Sequence, residues 1–148
     1  MKSKSRFSQG YYPLKNPDKY VGKDPAKVRF MSSWEYHMHE FLDNNPNVLK
    51  WSSESLAIPY LKPTDGKIHT YYPDYMVQYV NKDGEIVNEV IELKPAGQTR
   101  QSRSKNPNHK LYENLQYAVN MAKWQACQQY CDSHGYKFRI VTEKSLFK

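Results

Sequence analysis

Six residues, Val90-Ile91-Glu92-Leu93-Lys94-Pro95, constrain this chain more than any other stretch. Side chains of a strand alternate faces with a period of two. Ile91 and Leu93 therefore share one face and anchor the strand in a core, while Glu92 and Lys94 stand together on the other. Eighteen positions before Glu92, Pro73-Asp74 opens a second apolar run. Between them, Asn81-Lys82-Asp83-Gly84 is a strong hairpin turn. Two strands joined by a hairpin are neighbours, so Asp74 and Glu92 are expected to meet.

The rest of the chain supplies a sheet and its covering helices. Residues 1–30 hold Gly10, Pro13, Pro17, Gly22 and Pro25 among basic residues and tyrosines, a density that breaks helix and strand alike. They read as an extended basic arm, held if at all by Tyr11, Tyr12, Tyr20 and Phe30, that lies along DNA or a partner or is disordered alone. One domain then covers 31–148. Ser32-Ser33 opens a helix to about Leu42 or Asp43, with Trp34, Met38, Phe41 and Leu42 at helical spacing and Asn44-Asn45-Pro46 as its stop. Residues 48–51 form a short extended piece, 55–60 the first strand and 68–80 the second. Pro73 inside that second strand implies an edge, a bulge or a strand start. The third strand runs over 85–94. A polar, basic loop covers 95–110.

The second helix spans about 107–133. Leu111, Leu115, Ala118, Ala122 and Ala126 form a stripe that Tyr117, Met121, Trp124, Cys127 and Cys131 widen, which implies burial on two sides. Gly135 ends it, and 136–142 is a last strand. A strand, a helix and a strand make a crossover with the two strands parallel. The expected fold is α/β (α+β): an α-β-β-β-α-β order, with a mixed central sheet flanked by helices.

Composition excludes some classes and favours others. A length of 148 residues with 39% apolar and 14% aromatic residues suits one folded domain. No run of about 18 apolar residues is present, so no membrane role is expected. The first six residues lack the apolar stretch of a secretory signal, and a reducing compartment is expected. Cys127 and Cys131 lie four apart on one helix face, where a disulfide needs a distorted helix; with His134 they lack a fourth zinc ligand, so buried free thiols are expected. His37 and His39 fall on different helix faces and make a poor chelating pair, better read as surface or partly buried. The net charge of +7 is uneven. Residues 1–30 carry eight Lys/Arg against two acids, and Arg100, Arg103, Lys105 and Lys110 populate a loop without acids. Such patches fit a double-stranded DNA backbone, or merely a soluble surface.

Asp74, Glu92 and Lys94 match what hydrolysis of a phosphodiester needs. Mg²⁺ prefers oxygen ligands, here two carboxylates and the Leu93 carbonyl, and it acidifies water and clamps phosphate. Lys94 is then placed to hold the attacking water or to stabilise developing charge. A plain cross-strand salt bridge between Asp74 and Lys94 is the structural alternative. Glu35 also has two readings. Ser32-x-x-Glu35 is a capping box, with Glu35 bonding back to the Ser32 N–H; alternatively it points at the sheet and orients water. The pattern alone favours the cap.

Pro73-Asp74 followed by Glu92-Leu93-Lys94 resembles the PD-(D/E)xK nuclease superfamily. Further matches run in order: Ser32-Ser33-Trp34-Glu35, Asn45-Pro46-Asn47-Val48, Trp51, Ile58-Pro59-Tyr60, Tyr72-Pro73-Asp74, Ile91-Glu92-Leu93-Lys94-Pro95, Lys123-Trp124 and Phe138-Arg139-Ile140-x-Thr142-Glu143. Together they resemble the head-completion nucleases of T-even-type tailed phages, a branch similar to the endonuclease subunit of Tn7-type transposases. The resemblance implies a restriction-endonuclease-like core and a DNA endonuclease using Mg²⁺, with Mn²⁺ as a substitute. It implies Glu35, Asp74, Glu92 and Lys94 as catalytic residues, and so reverses the preference at Glu35. It also implies phage portal, neck or head-completion proteins as partners, and a place in the host cytoplasm during assembly or in the virion head and neck. A structural head protein that keeps the fold, and a repair, recombination or transposition endonuclease, are the alternatives.

Overall fold

The computed structural model describes residues 9–146. In order, they form β1 (Gly10–Tyr12), β2 (Val28–Phe30), α1 (Ser33–Asn44), β3 (Val48–Ser53), β4 (Ile58–Lys62), β5 (Lys67–Tyr71), β6 (Tyr75–Val80), β7 (Ile86–Leu93), α2 (Pro107–His134), β8 (Lys137–Val141) and α3 (Glu143–Leu146). The main sheet has the order β3-β6-β7-β8, antiparallel except for the parallel pair β7 and β8. It is the expected mixed sheet flanked by helices.

β7 organises both cores, because both of its faces are covered. Ile91 and Leu93 pack with Val77 and Val141 under Met38 and Leu42 of α1. One residue out of phase, Val90 packs with Ile58 and Tyr71 under Trp124, Cys127 and Cys131 of α2. Burying each such side chain contributes about 1.5–3 kcal/mol, so a one-residue slip, which exchanges the two faces, is strongly disfavoured. The two cysteines are buried free thiols, as expected.

Local signals set the helix ends. The Ser32 hydroxyl accepts from the Glu35 N–H at 3.1 Å, and Asn106 does the same for His109 ahead of Pro107. Gly135 ends α2 with φ 72°, a left-handed conformation that glycine adopts without a Cβ clash. Among the described residues no helix is long and apolar enough to cross a membrane.

Several expectations change. The expected strand 68–80 is two strands in two sheets. Pro73 has no N–H to offer a ladder, and the chain breaks over 72–74. β5 turns back on β4 as a separate hairpin, pairing Tyr71 with Ile58, and β6 starts anew in the main sheet. The outer strand of the main sheet is therefore β3, expected only as an extended piece, while 58–62 packs against α2.

The expected arm is integral from residue 9 onward. β1 pairs with β2, and Tyr12, Val28 and Phe30 are buried. The Val21 N–H donates to the Trp51 carbonyl at 2.9 Å, and the Tyr20 ring meets the Trp51 ring edge-on at 4.8 Å. Asp43, fully buried, accepts from Tyr12 Oη, Lys15 N and Asn16 N at 2.9, 2.8 and 3.0 Å. Short strands between prolines thus find their partners through side chains on α1. Lys2, Lys4 and Arg6 lie outside the described residues.

His39 is buried rather than superficial. Its Nε2 donates to the Arg29 carbonyl at 2.8 Å, which leaves Nδ1 to accept from the Tyr75 hydroxyl at 2.7 Å. The apolar stripe of α2 is also shorter than expected: Leu111 is 61% and Leu115 45% exposed, and burial begins at Val119. A helix of 28 residues is about 42 Å long, against about 17 Å for the five-residue β8 behind it, so its first turns project beyond the sheet.

Candidate active site

The pairing of β6 with β7 ends at Tyr75 opposite Ile91, and one step further the register sets Asp74 opposite Glu92. The two acids interlock through the backbone. Asp74 Oδ2 accepts from the Leu93 N–H at 2.7 Å, and Glu92 Oε1 accepts from the Asp74 N–H at 3.3 Å. Lys94 follows β7 and continues its pairing by donating its N–H to the Val141 carbonyl at 3.0 Å. Its Nζ stands 3.7 Å from Glu92 Oε2. The expected convergence of Asp74, Glu92 and Lys94 is present, and Lys94 pairs with Glu92 rather than bridging to Asp74.

Glu35 joins them from the first turn of α1. Its N–H is the capped one, but its carboxylate accepts from the Met31 N–H at 2.7 Å instead of from Ser32. The cap and the position beside the acids are therefore compatible. Burial pushes Glu35 up from its ordinary range, and the nearby Glu54 and Glu92 carboxylates add to this. Burial, then the Glu92 charge, pushes Asp74 up to about 8. Glu92 is raised by burial too, while Tyr71, Lys94 and Lys123 oppose the shift. Three carboxyl groups that resist ionising together form a place where positive charge is stabilised.

The donor set suits a hard divalent cation: two carboxylates at facing positions of paired strands, with the Leu93 carbonyl in the chain between Glu92 and Lys94. Among the described residues no group of three or more His, Cys, Asp and Glu side chains is arranged to hold a metal.

Three neighbours of the acids are not among the expected site residues, although Lys123-Trp124 is one of the family matches. Lys123 of α2 holds its Nζ over the rings of Tyr60 and Tyr71, at 5.9 and 5.7 Å, facing Glu92. Burial and the Lys94 charge lower its pKa. Tyr71 ends β5 with a buried hydroxyl on the Glu92 side. Glu54 has φ 51°, uncommon for a residue with a side chain, and donates its N–H to the Asp74 carbonyl at 3.0 Å. A lysine beside Trp124, inside the apolar stretch of a helix, was the one legible signal.

Of the basic residues, Arg100 donates to the Ala96 carbonyl at 2.8 Å and borders the same recess as Lys94. Arg103, Lys105 and Lys110 are exposed further along. Their loop is tied to α2, with the Ser102 N–H donating to Asn114 Oδ1 at 2.8 Å.

Two comparisons with known proteins agree with this geometry. Residues 45–143 match the family described as TnsA-like endonuclease N terminal, which includes Asp74, Glu92 and Lys94. The chain is also 37% identical over 145 residues to the head completion nuclease of Enterobacteria phage T4, covering 93% of this chain and 92% of that protein. A mixed sheet, paired strand-end acids and a matched span of this extent place the chain in the TnsA-like endonuclease family.

Proposed function

We propose that this protein is a divalent-metal-dependent DNA endonuclease of the PD-(D/E)xK type that acts in phage head completion after DNA packaging. The observation that carries the reading is the cross-strand meeting of Asp74 and Glu92, with Lys94 two residues on. Mg²⁺, with Mn²⁺ as a substitute, would be held by Asp74, Glu92 and the Leu93 carbonyl. When bound, the cation supplies Lewis acidity at the phosphate and makes water a better nucleophile.

The chain's own groups do the rest. Lys94, held by Glu92, offers its ammonium to the attacking water or to the charge that develops on the phosphate oxygens. Glu35 orients that water from α1. Arg100, Arg103, Lys105 and Lys110 contact the DNA backbone without reading bases. The head-completion setting is supported by the relative from phage T4, and it carries with it the host cytoplasm during assembly, a place in the virion head or neck, and portal, neck or head-completion proteins as partners.

The test is cleavage of plasmid and flapped DNA with Mg²⁺ or Mn²⁺, with EDTA as blank. Lys94→Ala is expected to lose at least about a hundredfold in rate while keeping its circular dichroism. A parent protein that cuts nothing, or a variant that cuts normally, overturns the reading.

A further inference from the structure

A recess of about 320 Å³ opens beside the acids, between the loop after β7 and the middle of α2. Lys94, Arg100 and Lys123 line it against one carboxylate, Glu113, together with Gln116, Tyr117 and Asn120. Asn120 is unusual among them. It is 8% exposed, and its amide makes no hydrogen bond among the described residues. The buried side-chain polar atoms without a partner among the described residues are Trp34 Nε1, Trp51 Nε1, Tyr71 Oη and Trp124 Nε1, so the Asn120 amide is instead open to the recess, where a ligand can reach it. Lys123 has no ion pair among the described residues and is fixed over two rings instead of being free in solvent.

We infer that this recess is a subsite for one unpaired nucleotide of the strand being cut, next to the scissile phosphate. The inference rests on the nuclease reading for its position, since Lys94 belongs both to the recess and to the catalytic centre. Three cations face a single carboxylate, Glu113, which is engaged by Ser102 and His109, so the recess keeps an excess of positive charge, and phosphate is the anion a DNA strand brings. Two amides, Asn120 and Gln116, offer donors and acceptors together, which a phosphate does not need but a base edge does. Tyr117 adds a flat ring of the kind bases pack against. A space of this size takes a single nucleotide and not a base pair, so the strand is unpaired where it enters.

Binding of thymidine 5′-monophosphate in EDTA, followed by isothermal titration, tests this without requiring cleavage. The parent is expected to bind, and Lys123→Gln and Asn120→Leu each to bind at least tenfold more weakly. Both variants should keep the circular dichroism and melting temperature of the parent, so that weaker binding reports the recess and not unfolding. Where the parent cleaves, both variants should bring the ratio of flapped to fully paired DNA cleavage closer to one. No binding by the parent, equal binding by parent and variants, or an unchanged ratio overturns the subsite. Nucleotide binding that depends on both residues in a parent that cuts no DNA leaves the subsite standing and sinks the nuclease reading instead.

Discussion

Asp74 ionises near 3.8 in an unfolded chain and near 8 in the folded one, because burial and the Glu92 charge oppose its ionisation. Between those values the folded state binds the proton more tightly than the unfolded state does. The stability this confers is complete at the acid end and is lost as pH rises through about 8. In EDTA, the melting temperature of the parent should therefore fall relative to that of Asp74→Asn as pH is raised from about 4 to about 8. At pH 8 the variant should be the more stable by about 1–3 kcal/mol, the cost of a poorly compensated buried group. Mg²⁺ should restore the parent at pH 8 and leave the variant little changed. Thermal melts across that pH range decide the matter, and parallel curves for the two proteins would count against a shared cation site. Lys94 belongs to the same balance: its ammonium, 3.7 Å from Glu92, offsets one of the carboxylates before any cation arrives.

Among the elements, β1 and β2 carry the clearest consequence. Asp43 at the end of α1 satisfies two backbone N–H groups and one hydroxyl from the segment 12–16. Asp43→Ala leaves those donors inside the protein without an acceptor. The expected loss is about 3 kcal/mol, read from urea unfolding, since each stranded group costs about 1–3 kcal/mol. Deleting residues 1–31 should do worse, because Val28 leaves the core and Trp51 loses its cover of Tyr20. A deletion variant that melts like the parent but binds DNA weakly would show instead that this segment is an appendage. The same contacts explain why a stretch rich in Pro and Gly reads as a loose arm: β1 and β2 are three residues each, and their stabilising partners are far away in the chain.

At the scale of the whole molecule, the charge is arranged around the acids. Lys23, Lys27 and Arg29 border a cleft that also contains Glu54 and Tyr72, next to Asp74. On the other side, Arg100 and Lys123 share the recess with Lys94. A nucleic acid crossing the site meets cations before and after the acidic centre. Replacing Arg100 and Arg103 together by Ala should weaken DNA binding to a similar degree for unrelated sequences. It should also reduce the slope of log affinity against log salt by about 1.8, two backbone contacts at about 0.9 each. Affinity unchanged at low salt would remove these arginines from the DNA path.

What the chain declares by itself is local. The alternation in β7, the hairpin after β6 and the caps of both long helices are each written within a few neighbouring residues. Periodicity, turn chemistry and capping act over that distance. Asp74, Glu92 and Lys94 were legible for the same reason, since one hairpin joins them. Tertiary structure decided the rest. It split 67–71 from 75–80 into different sheets, laid the first strands on α1, and carried α2 past the edge of the sheet. It also brought Tyr71 and Lys123 beside Glu92, from elements that approach only when both faces of β7 are covered. No local pattern encodes such a meeting, because it depends on which apolar surfaces find one another across the chain.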